Sequence, residues 1–259
     1  MTELTHLSLS RSAVPEDIAI ANLNKLIYLD IFGTKLIRVP KAIFNLTKLV
    51  YLDLSQNKLI SISIALSNLR QIYLLYINDN RLSGSIPKGI FNLTKLTCLD
   101  LSQNKLTNIS IALANLRQIF ELHINDNRLS GSIPNAITHL KKLETLDLSK
   151  NNLTCTIPKA ITHLKNLESL YLSSNNLIGT IPRGIGKLHS LQHLFLDSNK
   201  LSRSIPDSIH SLVLLSSLDI SKKNWRDQFL MALAIVVLCN ISLLIIIYFL
   251  GHCPCLWPT

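Results

Sequence analysis

Serine, histidine and aspartate, the side chains of nucleophilic and acid–base catalysis, are abundant in this chain of 259 residues. They nevertheless recur at equivalent positions of an internal repeat; His139 and His163, for example, both follow an Ile-Thr pair. The sequence contains neither a glycine-rich phosphate loop nor a kinase catalytic-loop motif. Every candidate for catalysis therefore has an explanation in the repeat, and we predict that the chain is not an enzyme.

The residues that bind metal ions form no complete site in the sequence. His252, Cys253 and Cys255 are cramped together and lack a fourth ligand for zinc. Carboxylates on neighbouring strands would form a flat ladder, without the convergent oxygen cage that Ca²⁺ requires. We predict no metal and no cofactor. The five cysteines are too scattered for a disulfide framework, which indicates a reducing compartment or an incomplete chain.

All these side chains are carried by a repeat of 23 to 24 residues. Each copy begins Leu-x-x-Leu-x-Leu, whose period of two predicts a short strand with leucines inward and variable residues outward. An asparagine three residues later can satisfy backbone groups of the turn. Gly-x-Ile-Pro often follows, as in Gly84 to Pro87, and its proline predicts a turn rather than a paired strand. Because one copy has too few apolar residues to fold alone, the copies must stack on one core. They start near Leu4, Leu26, Leu49, Ile72, Leu96, Ile119, Leu143, Leu167, Leu191 and Leu215.

The pattern Leu-x-x-Leu-x-Leu-x-x-Asn-x-Leu-x-Gly-x-Ile-Pro resembles the plant-type subclass of leucine-rich repeats, over roughly residues 3–224. The resemblance implies an α/β repeat solenoid of about 9–10 repeats. It would be a curved, right-handed horseshoe with a parallel sheet on its concave side, similar to the ectodomains of receptor-like proteins without a kinase domain. The copies starting at Leu49 and Leu96 replace Gly-x-Ile-Pro with Ser-Ile-Ser-Ile and Asn-Ile-Ser-Ile, and Ser12, Thr34 and Lys223 replace the asparagine. We therefore expect the terminal copies to be less regular.

One unit of two repeats occurs twice: Phe44 to Pro87 matches Phe91 to Pro134 at 36 of 44 positions. Several of the differences fall at outward strand positions. The frame is thus copied while the outward face varies, which suggests that this face has a function of its own. These outward differences are Tyr51/Cys98, Leu74/Glu121 and Tyr76/His123.

The outward strand positions share one face, which carries nine of the 16 carboxylates of the chain. Since adjacent strands lie about 4.8 Å apart, each outward column should be a closely spaced ladder. We predict that this acidic and aromatic face binds a basic, partly apolar peptide or protein segment, with Tyr76, Tyr171 and Phe195 as anchors. The predicted ligand-binding residues are Asp30, Asp53, Tyr76, Asp79, Asp100, Glu121, His123, Asp126, Asp147, Tyr171, Phe195 and Asp197.

A second interpretation gives these acids no ligand. The segments Leu-Asp-Leu-Ser and Asn-Lys-Leu belong to the repeat consensus, and basic residues that follow the ladder asparagines would partly neutralise the acids. This basic ridge comprises Lys35, Lys58, Arg81, Lys105, Arg128 and Lys200. The net charge is +10, but the basic residues are dispersed and no cluster of them interleaves with aromatics. Nucleic acid is therefore not a predicted partner.

A charge-free run from Phe229 to Leu250 is long enough to cross a bilayer as a helix. We predict a single-pass membrane protein with a solenoid over 1–224, a juxtamembrane segment over 225–228, the membrane helix over 229–250 and a tail over 251–259.

The side of the membrane on which the repeats lie is left open. Lys222, Lys223 and Arg226 precede the run, no Lys or Arg follows it, and the N-terminus does not resemble a signal peptide. These features favour a tail-anchored cytosolic scaffold. The family resemblance favours an extracellular domain, or an incomplete fragment of a larger receptor-like protein with no activity of its own. The repeats contain four Asn-x-Ser/Thr sequons, at Asn45, Asn92, Asn108 and Asn152, which is about as many as chance provides, so they do not decide between these alternatives.

Overall fold

The computed structural model describes residues 3–15, 18–202 and 205–221. In these residues ten short strands form one parallel sheet in which spatial order follows sequence order. Neighbouring strands pair in register one repeat apart, so that Leu29 lies beside Leu52 and Leu52 beside Leu75. The period of the sequence therefore fixes the register of the sheet. The strands are His6–Ser8, Tyr28–Asp30, Tyr51–Asp53, Leu74–Tyr76, Cys98–Asp100, Glu121–His123, Thr145–Asp147, Ser169–Tyr171, His193–Phe195 and Ser217–Asp219.

Short 3₁₀ helices provide the return path of each repeat on the side away from the sheet. They are Lys41–Asn45, Ile64–Asn68, Lys88–Asn92, Ile111–Asn115, Asn135–His139, Lys159–His163, Arg183–Lys187 and Asp207–Ser211. Six of them follow a proline. The two helices that do not follow a proline use serine instead: the hydroxyl oxygens of Ser63 and Ser110 accept hydrogen bonds from the N–H groups of Ala65 and Ala112. Serine is a good N-cap, so these departures preserve the helix.

A single hydrophobic core runs between the sheet and the 3₁₀ helices. The inward strand leucines, such as Leu75 and Leu99, are 0% exposed, as are helix and turn residues such as Ile90 and Leu93. Each fully buried leucine or isoleucine contributes about 1.5–3 kcal/mol relative to an exposed one. Because every repeat buries its apolar side chains against the next, stability comes from the interfaces between neighbours.

The ladder asparagines close the turn after each strand, as the sequence predicted. Asn104 Nδ2 donates to the carbonyl oxygens of Ile77, Leu101 and Ser102 at 3.0–3.2 Å, and its Oδ1 accepts the N–H of Leu82 at 2.9 Å. Two of these partners lie in the preceding repeat, so the amide also ties neighbouring repeats together. The pattern recurs at Asn57, Asn80, Asn127, Asn151, Asn175 and Asn199.

The N-terminal end of the described solenoid is less regular, as expected, whereas the C-terminal departure at Lys223 lies outside the described residues. Thr34 stands in an asparagine position, where its hydroxyl donates to the carbonyl of Ile31 and to Asn57 Oδ1, both at 3.0 Å. A threonine hydroxyl has fewer donors than an amide and replaces only part of the asparagine network. The first 3₁₀ helix in the described residues begins at Lys41.

The prediction that Gly-x-Ile-Pro forms only a turn is wrong. Residues before the proline join short two-stranded parallel sheets: Ser83–Ser85 with Lys105–Asn108, Ser130–Gly131 with Asn152–Leu153, and Ile178–Gly179 with Lys200–Leu201. Proline removes a donor only at its own position, and the preceding residues keep their N–H and C=O groups for pairing. Gly84, with φ of 74°, supplies the left-handed backbone that this short strand needs.

Within the described residues, no helix has the length and apolarity needed to cross a membrane. The predicted juxtamembrane segment, membrane helix and tail, residues 225–259, lie outside the described residues.

Candidate functional site

The outward side chains of the ten strands form two columns, which together we call the sheet face. Residues within a column are paired in register and lie about 4.8 Å apart. The first column runs His6, Tyr28, Tyr51, Leu74, Cys98, Glu121, Thr145, Ser169, His193 and Ser217. The second runs Ser8, Asp30, Asp53, Tyr76, Asp100, His123, Asp147, Tyr171, Phe195 and Asp219.

The structure brings nine of the twelve predicted site residues into these two columns; the other three are Asp79, Asp126 and Asp197. Asp197 lies two residues beyond its strand, where the hydroxyl of Ser173 donates to its carboxylate. Asp79 and Asp126 lie three residues beyond their strands, in exposed turns with φ of 51° and 54°. Asp79 and Asp126 therefore flank the sheet face, because the chain has already turned away from the strand direction there.

Aromatic side chains form two stacked groups on the sheet face. In the first, the rings of Tyr28 and Tyr51 stack with centroids 4.2 Å apart, and Tyr76 lies tilted at 5.6 Å from Tyr51. In the second, Tyr171 and Phe195 stack at 5.3 Å. Tyr28 and Tyr51 were not among the predicted site residues, although their outward strand positions were readable in the sequence. Stacked rings keep exposed apolar surface in a fixed orientation, which suits them as anchors for a partner.

All five aspartates of the second column accept a hydrogen bond from the backbone. One carboxylate oxygen of Asp53, Asp100 and Asp147 accepts the N–H of the residue two positions later at 2.8–2.9 Å. Asp30 and Asp219 make the same bond. Such a bond lets a short acidic side chain stabilise the turn that ends the strand. It also explains why Leu-Asp-Leu-Ser recurs, which the spacing alone did not reveal.

The acids of the sheet face have few cationic partners. Among the described residues, ion pairs within 4 Å join only Lys25 to Glu3, at 2.5 Å, and His123 to Glu121, at 3.7 Å. The basic ridge is exposed and makes no such contact with the sheet-face carboxylates in the described residues. Direct ion pairing between the ridge and these acids is therefore not seen in the described residues.

Local environment shifts the pKa of several groups on this face. Partial burial opposes ionisation of Asp30, but hydrogen bonds from Ser10, Ser8 and the N–H of Phe32 outweigh it and lower the pKa of Asp30 below its ordinary value of 3.8. Partial burial, followed by the charge of Asp53, raises the pKa of Tyr51.

The central part of the face holds a buried thiol. Burial raises the pKa of Cys98 to about 12, and the negative charge of Glu121 adds to that rise. Burial also raises the pKa of Tyr76 next to it, with a further contribution from Cys98. Cys98 Sγ lies 3.6 Å from Glu121 Oε2, which also faces His123. In the described part of the chain, no three His, Cys, Asp or Glu side chains converge as metal ligands would.

Comparison with known proteins agrees with this geometry. Residues 5–132 and 113–254 match the leucine-rich repeat region family. This chain is a leucine-rich-repeat protein. No curated protein matches its sequence at a significant level.

Among solved structures, this leucine-rich-repeat protein is similar to plant receptor ectodomains. One is the ectodomain of the Arabidopsis thaliana receptor kinase GASSHO1/SCHENGEN3 in complex with CASPARIAN STRIP INTEGRITY FACTOR 2. The TM-score is 0.80, with 34% identity over 86% of this chain and 27% of that one. The ectodomain of the Arabidopsis receptor kinase HAESA, solved with an IDA peptide hormone ligand, has a TM-score of 0.76 and 33% identity, over 84% of this chain and 38% of that one.

A bacterial protein has the same fold. The leucine-rich-repeat protein LIC12759 of Leptospira interrogans has a TM-score of 0.77 and 29% identity, over 88% of this chain and 57% of that one. This leucine-rich-repeat protein thus spans between 27% and 57% of the length of these three structures.

Proposed function

We propose that this chain is a membrane-anchored, non-enzymatic recognition module that binds a cationic, partly apolar peptide or protein segment on its sheet face. The observation that carries the proposal is that the aspartates of the second column make no ion pair among the described residues, and that two of them, Asp100 and Asp147, lie between the two stacked aromatic groups. An unpaired acidic row attracts a cationic partner and speeds its association, while aromatic anchors supply most of the affinity.

The register of the sheet limits the size of such a partner. Tyr76 and Tyr171 occupy the same column four strand steps apart, with Asp100, His123 and Asp147 between them. Four steps correspond to roughly 19 Å, which an extended peptide of about six residues spans at about 3.3 Å per residue. The best ligand would therefore carry aromatic or apolar side chains at both ends and lysine or arginine in between.

Similar structures support a peptide partner. The GASSHO1/SCHENGEN3 and HAESA ectodomains were both solved with a peptide or protein ligand, and HAESA also with the co-receptor SERK1. These findings concern those proteins. For this chain they favour recognition over catalysis, and the chemistry of the ligand follows from its own acids and rings.

Attachment to a membrane through Phe229 to Leu250 is part of the proposal and rests on the apolar sequence alone. The compartment that the repeats face decides which partners they meet. Flanking charge favours the cytosol, and the family favours the extracellular side.

The experiment that tests the function uses the full-length protein in lipid nanodiscs and two synthetic peptides. One has the sequence Tyr-Ser-Lys-Arg-Lys-Ser-Tyr, and its counterpart has glutamate at the three central positions. We expect the cationic peptide to bind and the acidic peptide to bind at least about tenfold more weakly, with the difference shrinking at high salt. Equal binding of the two peptides, or no binding of either, would reject an acidic recognition face.

A further inference from the structure

A second charged surface lies on the edge of the solenoid where the chain leaves each 3₁₀ helix and enters the next strand. We call this the leading edge. In four consecutive repeats it has the sequence Asn-Leu-Thr-Lys or Asn-Leu-Arg-Gln, in alternation, over residues 45–48, 68–71, 92–95 and 115–118. Each repeat therefore places one cation on this edge, and Lys48, Arg70, Lys95 and Arg117 are all exposed.

Neutral polar groups accompany the four cations in a regular arrangement. Asn45, Asn68, Asn92 and Asn115 end their 3₁₀ helices with exposed side chains. Lys95 Nζ donates to Gln71 Oε1 of the preceding repeat at 2.6 Å, which holds the ammonium group between two repeats. Each of these repeats thus offers one exposed cation and one exposed asparagine amide.

The edge is also concave at one end. A cleft of about 690 Å³ is lined by Asn45, Thr47, Lys48, Asn68, Arg70 and their neighbours Phe44 and Gln71. Its polar lining combines two positive charges with amide and hydroxyl groups. Such a set can bind an anionic group and the hydroxyl groups beside it at the same time.

Acidic side chains do not neutralise this row. None of the four cations forms an ion pair with a carboxylate within the described residues. The four segments contain no Asp or Glu; an acid stands directly before the strand only in later repeats, at Glu144 and Glu168. The positive field continues there through exposed Lys141, Lys142 and Lys165.

We propose that the leading edge is a binding site for a linear acidic polysaccharide, such as a uronate polymer. The strands advance by about 4.8 Å per repeat, and the cations alternate between two adjacent positions of the repeat, so they form a narrow strip of positive charge that an extended chain with regularly spaced carboxylates can follow. The amide and hydroxyl groups between the cations would bind the sugar hydroxyls. A single-stranded nucleic acid fits less well, because its binding depends on stacking platforms for the bases. Beside these segments Lys142 covers the ring of Phe120 at 5.6 Å, which leaves Tyr73 as the exposed ring among the described residues there.

This site is independent of the proposed peptide-binding function, because it uses another edge and the opposite charge. The site also accounts for part of the net charge of +10, because the cations of the leading edge lie outside the acidic face and are exposed to solvent.

The test compares two variants of equal net charge. In the first, Lys48, Arg70, Lys95 and Arg117 are changed to glutamine; in the second, Lys58, Arg81, Lys105 and Arg128 of the basic ridge are changed to glutamine. Full-length protein is produced in bacteria, so that Asn45 and Asn92 carry no glycan, and is kept in detergent. Binding to immobilised polygalacturonate, neutral dextran and single-stranded oligothymidylate is measured as salt is raised.

We expect wild type to bind polygalacturonate but not dextran, with affinity falling as salt rises. The leading-edge variant should lose at least about tenfold in affinity, and the ridge variant should stay within about twofold of wild type. Equal losses in both variants would show that only net charge matters and would overturn the site. Tighter binding of oligothymidylate than of polygalacturonate would overturn the choice of ligand.

Discussion

Asp147 accepts two hydrogen bonds from Ser149: one from its backbone N–H at 2.9 Å and one from its hydroxyl at 2.6 Å. Asp53 and Ser55 form the same pair in an earlier repeat. The outward aspartates therefore stabilise the turn and also contribute negative charge to the sheet face. Any experiment on ligand binding has to separate these two contributions.

Asparagine substitution separates them at Asp53, Asp100 and Asp147. An Asn side chain keeps an oxygen that can accept the turn N–H but carries no charge. We expect the triple Asp→Asn variant to associate more slowly with the cationic peptide and to lose salt dependence, with an unfolding midpoint close to wild type. The triple Asp→Ala variant should also lose stability, by about 1 kcal/mol per site.

Stopped-flow association and urea denaturation measure the two effects. A matched control changes Glu144 and Glu168 to Gln and Asp207 to Asn, which removes the same charge outside the two columns. If the control slows association as much as the sheet-face variant, the acidic column has no special role.

The aromatic groups should carry more of the affinity than the acids. We expect Tyr76→Ala or Phe195→Ala to weaken binding of the cationic peptide by about 1–3 kcal/mol, since each removes a ring from a stacked group. Tyr73→Ala is the control, because Tyr73 is 40% exposed but lies outside the two columns. Isothermal titration calorimetry gives the affinities; comparable losses at Tyr73 and Tyr76 would argue against an anchor at Tyr76.

The ladder asparagines should be among the most sensitive positions for stability. Asn104→Ala removes an amide that makes four hydrogen bonds and leaves buried carbonyl and N–H groups without it. We expect a loss of about 2–4 kcal/mol in the free energy of unfolding. Asn125→Ala, in the turn of the next repeat, should change it by less than about 1 kcal/mol. Urea denaturation followed by circular dichroism compares the two, and equal losses would contradict a special role for the ladder.

Reactivity should distinguish the two cysteines of the described residues. Cys98 is 6% exposed and its pKa is raised to about 12, whereas Cys155 is exposed. A raised pKa keeps the thiol protonated, and the thiolate is the form that reacts. At pH 8 we expect iodoacetamide to label Cys98 at least about tenfold more slowly than Cys155. Timed labelling with peptide mass spectrometry measures both sites. Unfolding in urea should make the rates similar; similar rates before unfolding would disprove the burial of Cys98.

Membrane attachment is tested on the full-length protein in cells. We expect the protein to stay in the pellet after carbonate extraction, and its release would rule out a spanning helix. Protease protection on intact membranes then locates the repeats. The sequon residues Asn45, Asn92, Asn108 and Asn152 are all exposed, so repeats facing the secretory lumen should shift on glycosidase treatment. Cytosolic repeats should show no shift and should be digested without permeabilisation.

Much of this fold was readable from the sequence, because one leucine pattern repeats with one period. Once Leu75 and Leu99 are placed inward, alternation along a strand fixes the outward columns of the sheet face. The role of the ladder asparagines followed from their chemistry, since an amide can both donate and accept. The nine predicted site residues that lie in these columns follow from the same argument.

Other features depended on contacts that no pattern contains. The hydrogen bonds between Asp147 and Ser149 were not predicted, although the two residues are close in sequence. An outward aspartate is more simply interpreted as a surface charge than as part of a turn. The strand Ser83–Ser85 was missed because a proline two residues later was taken to exclude pairing. The sequence analysis predicted Asp79 and Asp126 on the sheet face, because their distance from the strand in sequence does not show where the chain turns away from it.

The short range of the hydrogen bonds made by each ladder asparagine determines how repeats can be added to the sheet face. The side-chain amide of Asn104 bonds only within its own repeat and to the one before it, and the same holds for the side-chain amide of Asn127. A two-repeat block inserted between others would meet the same neighbours at both of its ends. Phe44 to Pro87 and Phe91 to Pro134 have the form of such an insertion, which lengthens the molecule by roughly 10 Å. The two blocks differ at outward positions such as Tyr51 and Cys98. Each insertion therefore adds new sheet surface whose outward residues can change without disturbing the core.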